Sequence, residues 1–340
     1  MLACFLGAPK KVTIKDVPVP KLAPGEILVR MEASGICGTD LEKIEGQLGP
    51  GGILGHEVSG TIEKVANDVT GCKPGDRVLA HHHVPCYHCP DCSKGNFTLC
   101  SDFKKSNIDP CGFAEYFRVP QFNVVRGAVV PLPSELSFEE GAIIEPTACC
   151  IRAIRRADVQ EADNILVVGL GPTGLTQIQI LCHATNGKII GSDIIEARLK
   201  LGKELGADET VNALTEDVSA HVRKVVNEGV DLAVVSTGNE KALDQAFSSV
   251  RKGGRVLLFG APSQGAMYQL NVSELFSRQI TLLSSYSCLE AEIDEAIRLV
   301  AQKKIDLKNL ISDRFKLRDS EKAMEFARTS KMAIKTIVVP

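Results

Sequence analysis

Four cysteines, Cys86, Cys89, Cys92 and Cys100, lie in a C-x2-C-x2-C-x7-C pattern within a short polar segment. Three thiols spaced so closely crowd their negative charges unless a cation neutralises them, which disfavours disulfide bonds or simple packing. An iron–sulfur cluster is the nearest alternative, but the ferredoxin pattern has its fourth cysteine after three residues, whereas seven intervene here. The spacing therefore predicts a closed, structural zinc site.

A second group of candidate ligands consists of Cys37 and the segment Gly55-His56-Glu57. A carboxylate beside an imidazole, between apolar segments, is costly to bury without a cation. Neighbours on an extended strand point to opposite faces, so both bind one ion only where the chain bends, and Gly55 permits a bend. Glu145 is the other candidate carboxylate, with helix capping as its alternative role. We therefore predict an open, catalytic zinc site from Cys37, His56 and one of these two carboxylates, with water or substrate in the fourth position.

The segment Gly169–Gly174 has the G-x-G-x-x-G spacing of a dinucleotide-binding loop. It follows the apolar run Ile165–Val168 and precedes a helical pattern, which is the context that this motif requires. Its glycines allow a tight turn and the close approach of a pyrophosphate, which the N-terminus of the helix attracts. The segment therefore predicts a nicotinamide dinucleotide as cofactor.

Asp193 ends the next predicted strand, where a carboxylate accepts hydrogen bonds from the ribose hydroxyls and repels a 2′-phosphate. It favours NAD over NADP, although Arg198 partly offsets its charge and leaves NADP open. Helix capping is the alternative role for Asp193. The candidate cofactor-binding residues are Gly169, Leu170, Gly171, Pro172, Thr173, Gly174, Asp193, Arg198, Ser236 and Thr237.

The remaining histidine and cysteine motifs carry no predicted chemistry. The triplet His81-His82-His83 is interpreted as a strand that enters the cysteine segment, because consecutive strand residues alternate faces and cannot converge on one ion. Seven other cysteines have no partner at ligand spacing and are interpreted as packing or surface thiols: Cys4, Cys72, Cys111, Cys149, Cys150, Cys182 and Cys288.

The elements that must position these residues follow two patterns. Residues 1–146 contain short alternating strands rich in glycine and proline, which predict an irregular antiparallel β-barrel with a zinc lobe at about 84–102. Within 147–288, strands alternate with helices, which predicts a doubly wound parallel sheet that binds NAD. A helix and a closing strand in 289–340 are expected to return to the first domain.

Length and composition agree with a two-domain globular enzyme, because 340 residues exceed one compact core. The net charge of −3 and the lack of a basic stripe argue against nucleic acid as a partner. The sequence contains no run of about 18 apolar residues, so no membrane span is predicted. Met1–Leu6 is interpreted as a first strand, not as a signal peptide. Twelve cysteines without secretory context favour metal binding over disulfides and predict a reducing, cytoplasmic compartment.

Several motifs occur in an order that resembles one known family. They are Cys37-Gly38-Thr39-Asp40, Gly55–Gly60, Pro74–Val78, the four-cysteine segment, Gly112–Tyr116 and the glycine loop. Together they resemble the zinc-dependent medium-chain alcohol dehydrogenase family, and within it the sorbitol (iditol) dehydrogenase-like polyol branch, over essentially the whole chain.

The resemblance implies a GroES-like catalytic domain, a Rossmann domain and zinc at both metal sites. It implies that Thr39 is the first proton acceptor, and that Glu145, where alcohol dehydrogenases have a cysteine ligand, indicates the polyol branch. It also implies a homo-oligomer, a dimer or tetramer. One departure affects the proton's exit: no histidine follows Thr39 within a few residues, where Leu41, Glu42 and Lys43 stand instead.

The expected function is hydride transfer between a secondary alcohol, of polyol or sugar-alcohol type, and NAD, with zinc stabilising the alkoxide. An aldehyde or semialdehyde reductase that uses NAD(P)H on the same scaffold is an alternative. A non-catalytic zinc-binding scaffold is a further alternative, but it predicts damage at Cys37, His56 or the glycine loop, and the sequence shows none.

Overall fold

The computed structural model describes residues 1–7, 11–47 and 53–340. The strands are β1 Leu2–Leu6, β2 Val12–Asp16, β3 Ile27–Gly35, β4 Glu57–Val65, β5 Arg77–Ala80, β6 Tyr116–Val119, β7 Val129–Pro131, β8 Ile165–Val168, β9 Ile189–Asp193, β10 Glu209–Asn212, β11 Val230–Val235, β12 Val250–Leu258, β13 Thr281–Ser284, β14 Ile311–Lys316 and β15 Lys335–Val339. The helices are α1 Gly38–Ile44, α2 Pro90–Ser93, α3 Gln121–Val124, α4 Phe138–Arg156, α5 Pro172–Leu181, α6 Glu196–Glu204, α7 Val218–Val225, α8 Glu240–Ser249, α9 Val272–Arg278, α10 Glu290–Ala301 and α11 Ser320–Thr329.

The chain divides into two compact units. The first comprises Met1–Ala148, Cys288–Ala301 and Leu307–Pro340, and the second comprises Cys149–Ser287 and Gln302–Asp306. None of the helices in the described ranges is both long and apolar enough to cross a membrane.

The first unit is built on a sheet in the order β14-β15-β3-β4-β5-β7, with β6 paired to β3. The closing strand β15 runs antiparallel to β3, with Ile337 opposite Gly35. Inward-facing side chains of β3 and β4, such as Val29, Met31 and Ile62, are buried in one apolar core. This pairing brings the end of the chain to the segments around Cys37 and Glu57.

The second unit is a six-stranded sheet in the order β10-β9-β8-β11-β12-β13, and every neighbouring pair is parallel. All four residues of β8 are buried, as expected for a parallel strand covered on both faces. Strand order reverses between β8 and β11, so the loops after these strands meet at the sheet's carboxyl edge, where open α/β sheets bind ligands. The predicted fold class, an irregular β-barrel with a Rossmann-type sheet, is confirmed.

Candidate functional site

The four lobe cysteines converge on one point. Their sulfur atoms lie within 4.8 Å of one another, with Cys92 Sγ 3.5 Å from Cys89 Sγ and 4.0 Å from Cys86 Sγ. All four are free thiols. A tetrahedral zinc ion with bonds of about 2.3 Å holds its sulfur ligands roughly 3.8 Å apart. The geometry therefore fits a single zinc ion bound by four sulfurs.

The surroundings of Cys86 and Cys92 shift the pKa values of these two thiols in opposite directions. The backbone N–H of His88 lowers the pKa of the Cys86 thiol to about 6. Burial and the neighbouring Cys89 thiol raise the pKa of Cys92 to about 12. Cys100 Sγ accepts the backbone N–H groups of Cys86 at 3.3 Å and of Asp102 at 3.4 Å. A cation among the sulfurs would lower the cost of ionising the buried Cys92 thiol.

Cys37, His56 and Glu57 form a second cluster, and their ligand atoms also lie within 4.8 Å of one another. Cys37 is the N-cap residue of α1, and Glu57 is the first residue of β4. Between them, Gly55 adopts φ = +73°, a conformation that disfavours other residues, and a Cβ there would lie 2.8 Å from the Phe113 ring. The bend that the sequence predicts at Gly55 lets the adjacent imidazole and carboxylate face one point.

Asp40 organises this cluster, and the sequence analysis did not single it out. Its buried carboxylate accepts the backbone N–H groups of Cys37 at 3.1 Å and of Gly55 at 2.9 Å. Its Oδ1 atom also lies 3.6 Å from His56 Nδ1. A carboxylate behind one ring nitrogen leaves the other nitrogen for a metal, as in most histidine–metal sites. The available signal was the spacing of Asp40, three residues after Cys37, which is that of a residue able to bond back to an N-cap.

Negative charge dominates the cluster. Burial alone would lower the pKa of His56, but its interactions with the Asp40 carboxylate and the Cys37 side chain raise it well above its usual range. The same imidazolium lowers the pKa of Asp40, although burial acts in the other direction. A site that raises the affinity of an imidazole for a proton favours any cation in the proton's place.

Lys335, from β15, is the second residue that the sequence analysis missed. Its Nζ atom lies 2.5 Å from Glu57 Oε2 and donates a hydrogen bond to the Ile36 carbonyl at 3.0 Å. Both side chains of the ion pair are almost completely buried. Burial would lower the pKa of Lys335, but Glu57 and Cys37 raise it, so the amine stays charged. The sequence gives no sign of the contact between Lys335 and Glu57, because the two residues are far apart in the chain and meet only when β15 pairs with β3.

The structure separates the two candidate carboxylates. Glu57 lies with Cys37 and His56, whereas Glu145, on α4, lies with His81 and Cys288 in a third group of possible metal ligands. The charge of Glu145 still reaches the first cluster, where together with burial it raises the pKa of Glu57. The geometry thus favours Glu57 as the carboxylate nearest Cys37.

Thr39, the predicted proton acceptor, is the second residue of α1, two positions after Cys37, and it is partly exposed. The position on the first helical turn follows directly from the N-cap role of Cys37. No histidine lies in the rest of α1, whose residues are Gly38–Ile44.

The interpretation of the histidine triplet as part of a strand is wrong. Strand β5 ends at Ala80, and the Asn123 side chain donates to the carbonyls of His81 and His82, while the His81 N–H still donates to the Ala128 carbonyl at 2.8 Å. The three rings nevertheless do not share one point: His82 packs on the His56 ring with centroids 4.7 Å apart, whereas His81 faces Cys288. Cys288, interpreted from the sequence as a packing or surface thiol, is buried beside a histidine and a carboxylate.

The glycine loop of the second unit leaves room for a ligand backbone. Gly169 adopts φ = +92° beside Thr237, and a Cβ on Gly174 would collide with the Gly169 carbonyl oxygen. A Cβ on Gly171 would meet no atom within 4 Å. The first and third glycines are therefore required by the turn and by helix packing, and the second lies beside open space. The loop leads into α5 with Pro172 as the first helical residue.

Asp193 lies at the carboxyl end of β9, as predicted, and its buried carboxylate holds the glycine loop. It accepts the backbone N–H of Leu170 at 2.6 Å and those of Ile194 and Ile195 at 2.7 and 2.9 Å. Part of its role is therefore structural. One oxygen accepts two of these bonds and the other only one, so acceptor capacity remains for a ribose hydroxyl.

The other predicted cofactor residues lie near this edge of the sheet. Ser236 follows β11, and its hydroxyl donates to the Gln177 side chain on α5. Thr237 packs on Gly169. Arg198 lies in α6, five residues after Asp193, and is partly exposed. The predicted residues thus lie at the carboxyl ends of β8, β9 and β11 and in the helices α5 and α6 that follow β8 and β9.

Comparison with known proteins agrees with both halves of this arrangement. The sequence matches the alcohol dehydrogenase GroES-like domain family over residues 23–133 and the zinc-binding dehydrogenase family over residues 172–302. It is 32% identical over 350 residues to sorbitol dehydrogenase of Bacillus subtilis (strain 168), covering 100% of this chain and 97% of that protein. It is 31% identical over 315 residues to D-altritol 5-dehydrogenase of Agrobacterium fabrum (strain C58 / ATCC 33970), covering 90% of each chain.

A solved structure shares the fold over the full length. It is a protein of Sinorhizobium meliloti 1021, provisionally described as a zinc-binding dehydrogenase, with NADP bound. The TM-score is 0.90 at 27% sequence identity, and the match covers 100% of this chain and 99% of that one.

Proposed function

We propose that this chain, which belongs to the zinc-dependent medium-chain alcohol dehydrogenase family, transfers hydride between a secondary alcohol of the polyol class and NAD. The chain is an oxidoreductase, and its full-length relatives include dehydrogenases of sorbitol and D-altritol. The polyol class of substrate follows from these relatives.

The observation that carries the proposal is the Cys37–His56–Glu57 cluster in a chain that also has an intact glycine loop. Three side-chain ligands leave one tetrahedral position for a substrate oxygen, which distinguishes a catalytic zinc site from the four-sulfur lobe. We infer two zinc ions for these two sites, one catalytic and one structural.

The residues of the first unit have distinct roles in this proposal. Cys37, His56 and Glu57 hold the ion, which when bound acts as a Lewis acid toward the alcohol oxygen. Asp40 fixes the orientation of His56, and Lys335 balances the charge of Glu57. Thr39 accepts the proton of the alcohol. Because α1 has no histidine after Thr39, the proton leaves by a route that does not use one in this helix.

The second unit binds the coenzyme. The free N–H groups at the start of α5 face the diphosphate, and Asp193 accepts the ribose hydroxyls. The carboxylate supports NAD over NADP, because a 2′-phosphate would lie against its negative charge. The similar protein of Sinorhizobium meliloti 1021 binds NADP. The preference of this chain for NAD over NADP is therefore tested separately.

A substrate panel tests the proposed function. Polyols, simple secondary alcohols and semialdehydes are assayed with the zinc-loaded protein by the absorbance of NADH, with and without a metal chelator. We expect polyol-dependent formation of NADH that the chelator abolishes. Reduction of semialdehydes without oxidation of any polyol would instead support the reductase alternative, and turnover that survives complete removal of zinc would contradict the proposal.

A further inference from the structure

Three buried side chains outside the Cys37 cluster and the cysteine lobe form another group of metal-ligand atoms. His81 and Cys288 are 0% exposed and Glu145 is 7% exposed. Their ligand atoms lie within 4.8 Å of one another. The three residues come from separate parts of the first unit: the loop after β5, helix α4, and the turn before α10. Burying a thiol, an imidazole and a carboxylate together is costly unless a cation or a full set of hydrogen bonds compensates them.

The distances match a zinc site. Cys288 Sγ lies 3.7 Å from His81 Nε2 and 4.0 Å from Glu145 Oε1. Tetrahedral zinc with bonds of about 2.0 to 2.3 Å separates sulfur from nitrogen or oxygen ligands by roughly 3.5 Å. A contraction of a few tenths of an ångström would therefore bring the sulfur to the ligand spacing of a zinc ion. Thiolate, imidazole and carboxylate together are a ligand set that zinc accepts and that magnesium or calcium does not favour.

A second, independent observation lies behind the histidine. His81 Nδ1 faces Glu290 Oε1 at 3.5 Å, and Tyr87 donates a hydrogen bond of 2.5 Å to Glu290 Oε2. Within the described part of the chain, the fully buried His81 Nδ1 makes no hydrogen bond at normal length. A carboxylate behind one nitrogen, with the other nitrogen turned to a thiol and a carboxylate, is the usual outer shell of a zinc-bound histidine.

We propose that His81 Nε2, Cys288 Sγ and the Glu145 carboxylate form a third metal site, which binds zinc. Glu290 orients His81, and Tyr87, from the cysteine lobe, orients Glu290. The assignment gives Glu145 to this site and Glu57 to the Cys37 cluster. It does not depend on the substrate or the coenzyme of the enzyme.

A competing interpretation is a catalytic triad, with Cys288 as the nucleophile, His81 as the base and a carboxylate that orients His81. A nucleophile must reach a substrate atom, however, and both Cys288 and His81 are 0% exposed. A single ion needs far less space. The second competing interpretation is a metal-free cluster in which the Cys288 thiol donates a weak hydrogen bond to its neighbours.

Zinc content of the full-length protein separates these interpretations. The protein is loaded with zinc, freed of loosely bound metal and analysed by inductively coupled plasma mass spectrometry. We expect Cys288→Ala to contain one zinc ion fewer per chain than the unmodified protein. Cys4→Ala is the matched control, since Cys4 is also 0% exposed in the first unit but lies outside every ligand group. Equal zinc content in Cys288→Ala and the unmodified protein would overturn the proposal.

If Cys288→Ala prevents folding, a substitution of Glu290, which lies behind His81 and not among the proposed ligands, provides a second test. Glu290→Gln removes the carboxylate behind His81 and should weaken one class of zinc by about 10- to 100-fold, measured by competition with a chelator of known affinity. Asp294→Asn removes the same charge from an exposed position on the same helix and should change nothing. Identical release of zinc from both variants would contradict the assignment.

Discussion

Asp40 and Lys335 contact the charged and polar groups of the Cys37 cluster, although neither residue is one of its three candidate metal ligands. Asp40 connects Cys37, Gly55 and His56 through its two carboxylate oxygens. Lys335 neutralises Glu57 in the absence of metal. An unpaired carboxylate buried at this position would be strongly destabilising. The cluster is therefore held in a metal-ready arrangement by charges that come from α1 and β15.

At the residue scale, Asp193 should determine the choice of coenzyme. Asp193→Asn removes the charge that opposes a 2′-phosphate and keeps one oxygen for the N–H groups of Ile194 and Ile195. We expect the ratio of kcat/KM for NAD to that for NADP to fall by about tenfold, which corresponds to about 1.4 kcal/mol. Steady-state assays with both coenzymes measure the ratio.

Asp208→Asn is the matched control for this substitution. Asp208 also accepts a backbone N–H, that of Ile189 at 2.9 Å, but it lies beside the first residue of β9 rather than the last. It should leave the coenzyme ratio unchanged. If Asp193→Asn also leaves the NAD-to-NADP ratio of kcat/KM unchanged, Asp193 serves only to hold the backbone around the glycine loop. That result would refute its assignment to the ribose.

At the element scale, one carboxylate joins three strands of the parallel sheet. Asp231, in β11, accepts the backbone N–H of Asn164, next to β8, at 2.8 Å and pairs with Arg251 Nε, in β12, at 2.6 Å. Burial would raise the pKa of Asp231, but the Asn164 N–H and the Arg251 guanidinium lower it below 3.8. A lowered pKa in the folded state means that the carboxylate stabilises the sheet above pH 3.8 and loses this effect as the pH falls through the folded-state value.

Asp231→Asn should therefore destabilise the β8–β11 pair by about 2 kcal/mol near neutral pH, since it removes a charged hydrogen-bond partner. The difference from the unmodified protein should shrink once the pH is below 3.8. Native-state amide hydrogen exchange measures the opening free energy of these strands. Glu228→Gln, an exposed carboxylate three positions earlier, serves as the control. A difference that stays constant with pH would show that the charge of Asp231 does not stabilise the sheet.

At the scale of the whole molecule, strand β13 offers a surface for assembly. It is the last strand in its sheet order, and its exposed residues are Thr281, Leu282 and Ser284. Leu282 in β13 is 42% exposed, and Phe276 in the preceding helix α9 is 82% exposed. An uncovered edge strand with exposed apolar side chains on and beside it tends to pair with another chain. This edge supports the expected homo-oligomer.

We expect a homo-oligomer that pairs through β13, and Leu282→Lys should then shift its mass toward the monomer mass of 36.6 kDa, because a charge on an edge strand opposes pairing. Sedimentation velocity measures the mass. Leu214→Lys is the control, since Leu214 is 72% exposed and follows β10, at the opposite edge of the same sheet. If both variants keep the mass of the unmodified protein, β13 is not the contact.

Short-range patterns predicted much of this molecule. The glycine loop could be predicted because its spacing and the strand before it are local in the sequence. The four lobe cysteines could be predicted for the same reason, since they lie within one short segment. The contacts that join distant parts of the chain had no such signal. Cys288 meets His81 across 207 positions, and Lys335 meets Ile36 across 299. Both contacts exist because α10 and β15 return to the first unit, and neither residue type carries a motif that announces its partner.

The central claim is that the Cys37–His56–Glu57 cluster binds the metal on which turnover depends, while the second unit binds NAD independently. His56→Ala tests it most directly, with His221→Ala, a histidine of α7, as the control. Polyol oxidation is followed by NADH absorbance, and NAD binding by isothermal titration calorimetry. We predict a loss of more than about 100-fold in kcat/KM for His56→Ala with unchanged affinity for NAD, since losing a metal ligand costs more than losing its outer-shell partner. Polyol oxidation by His56→Ala at the rate of the unmodified protein would contradict this account.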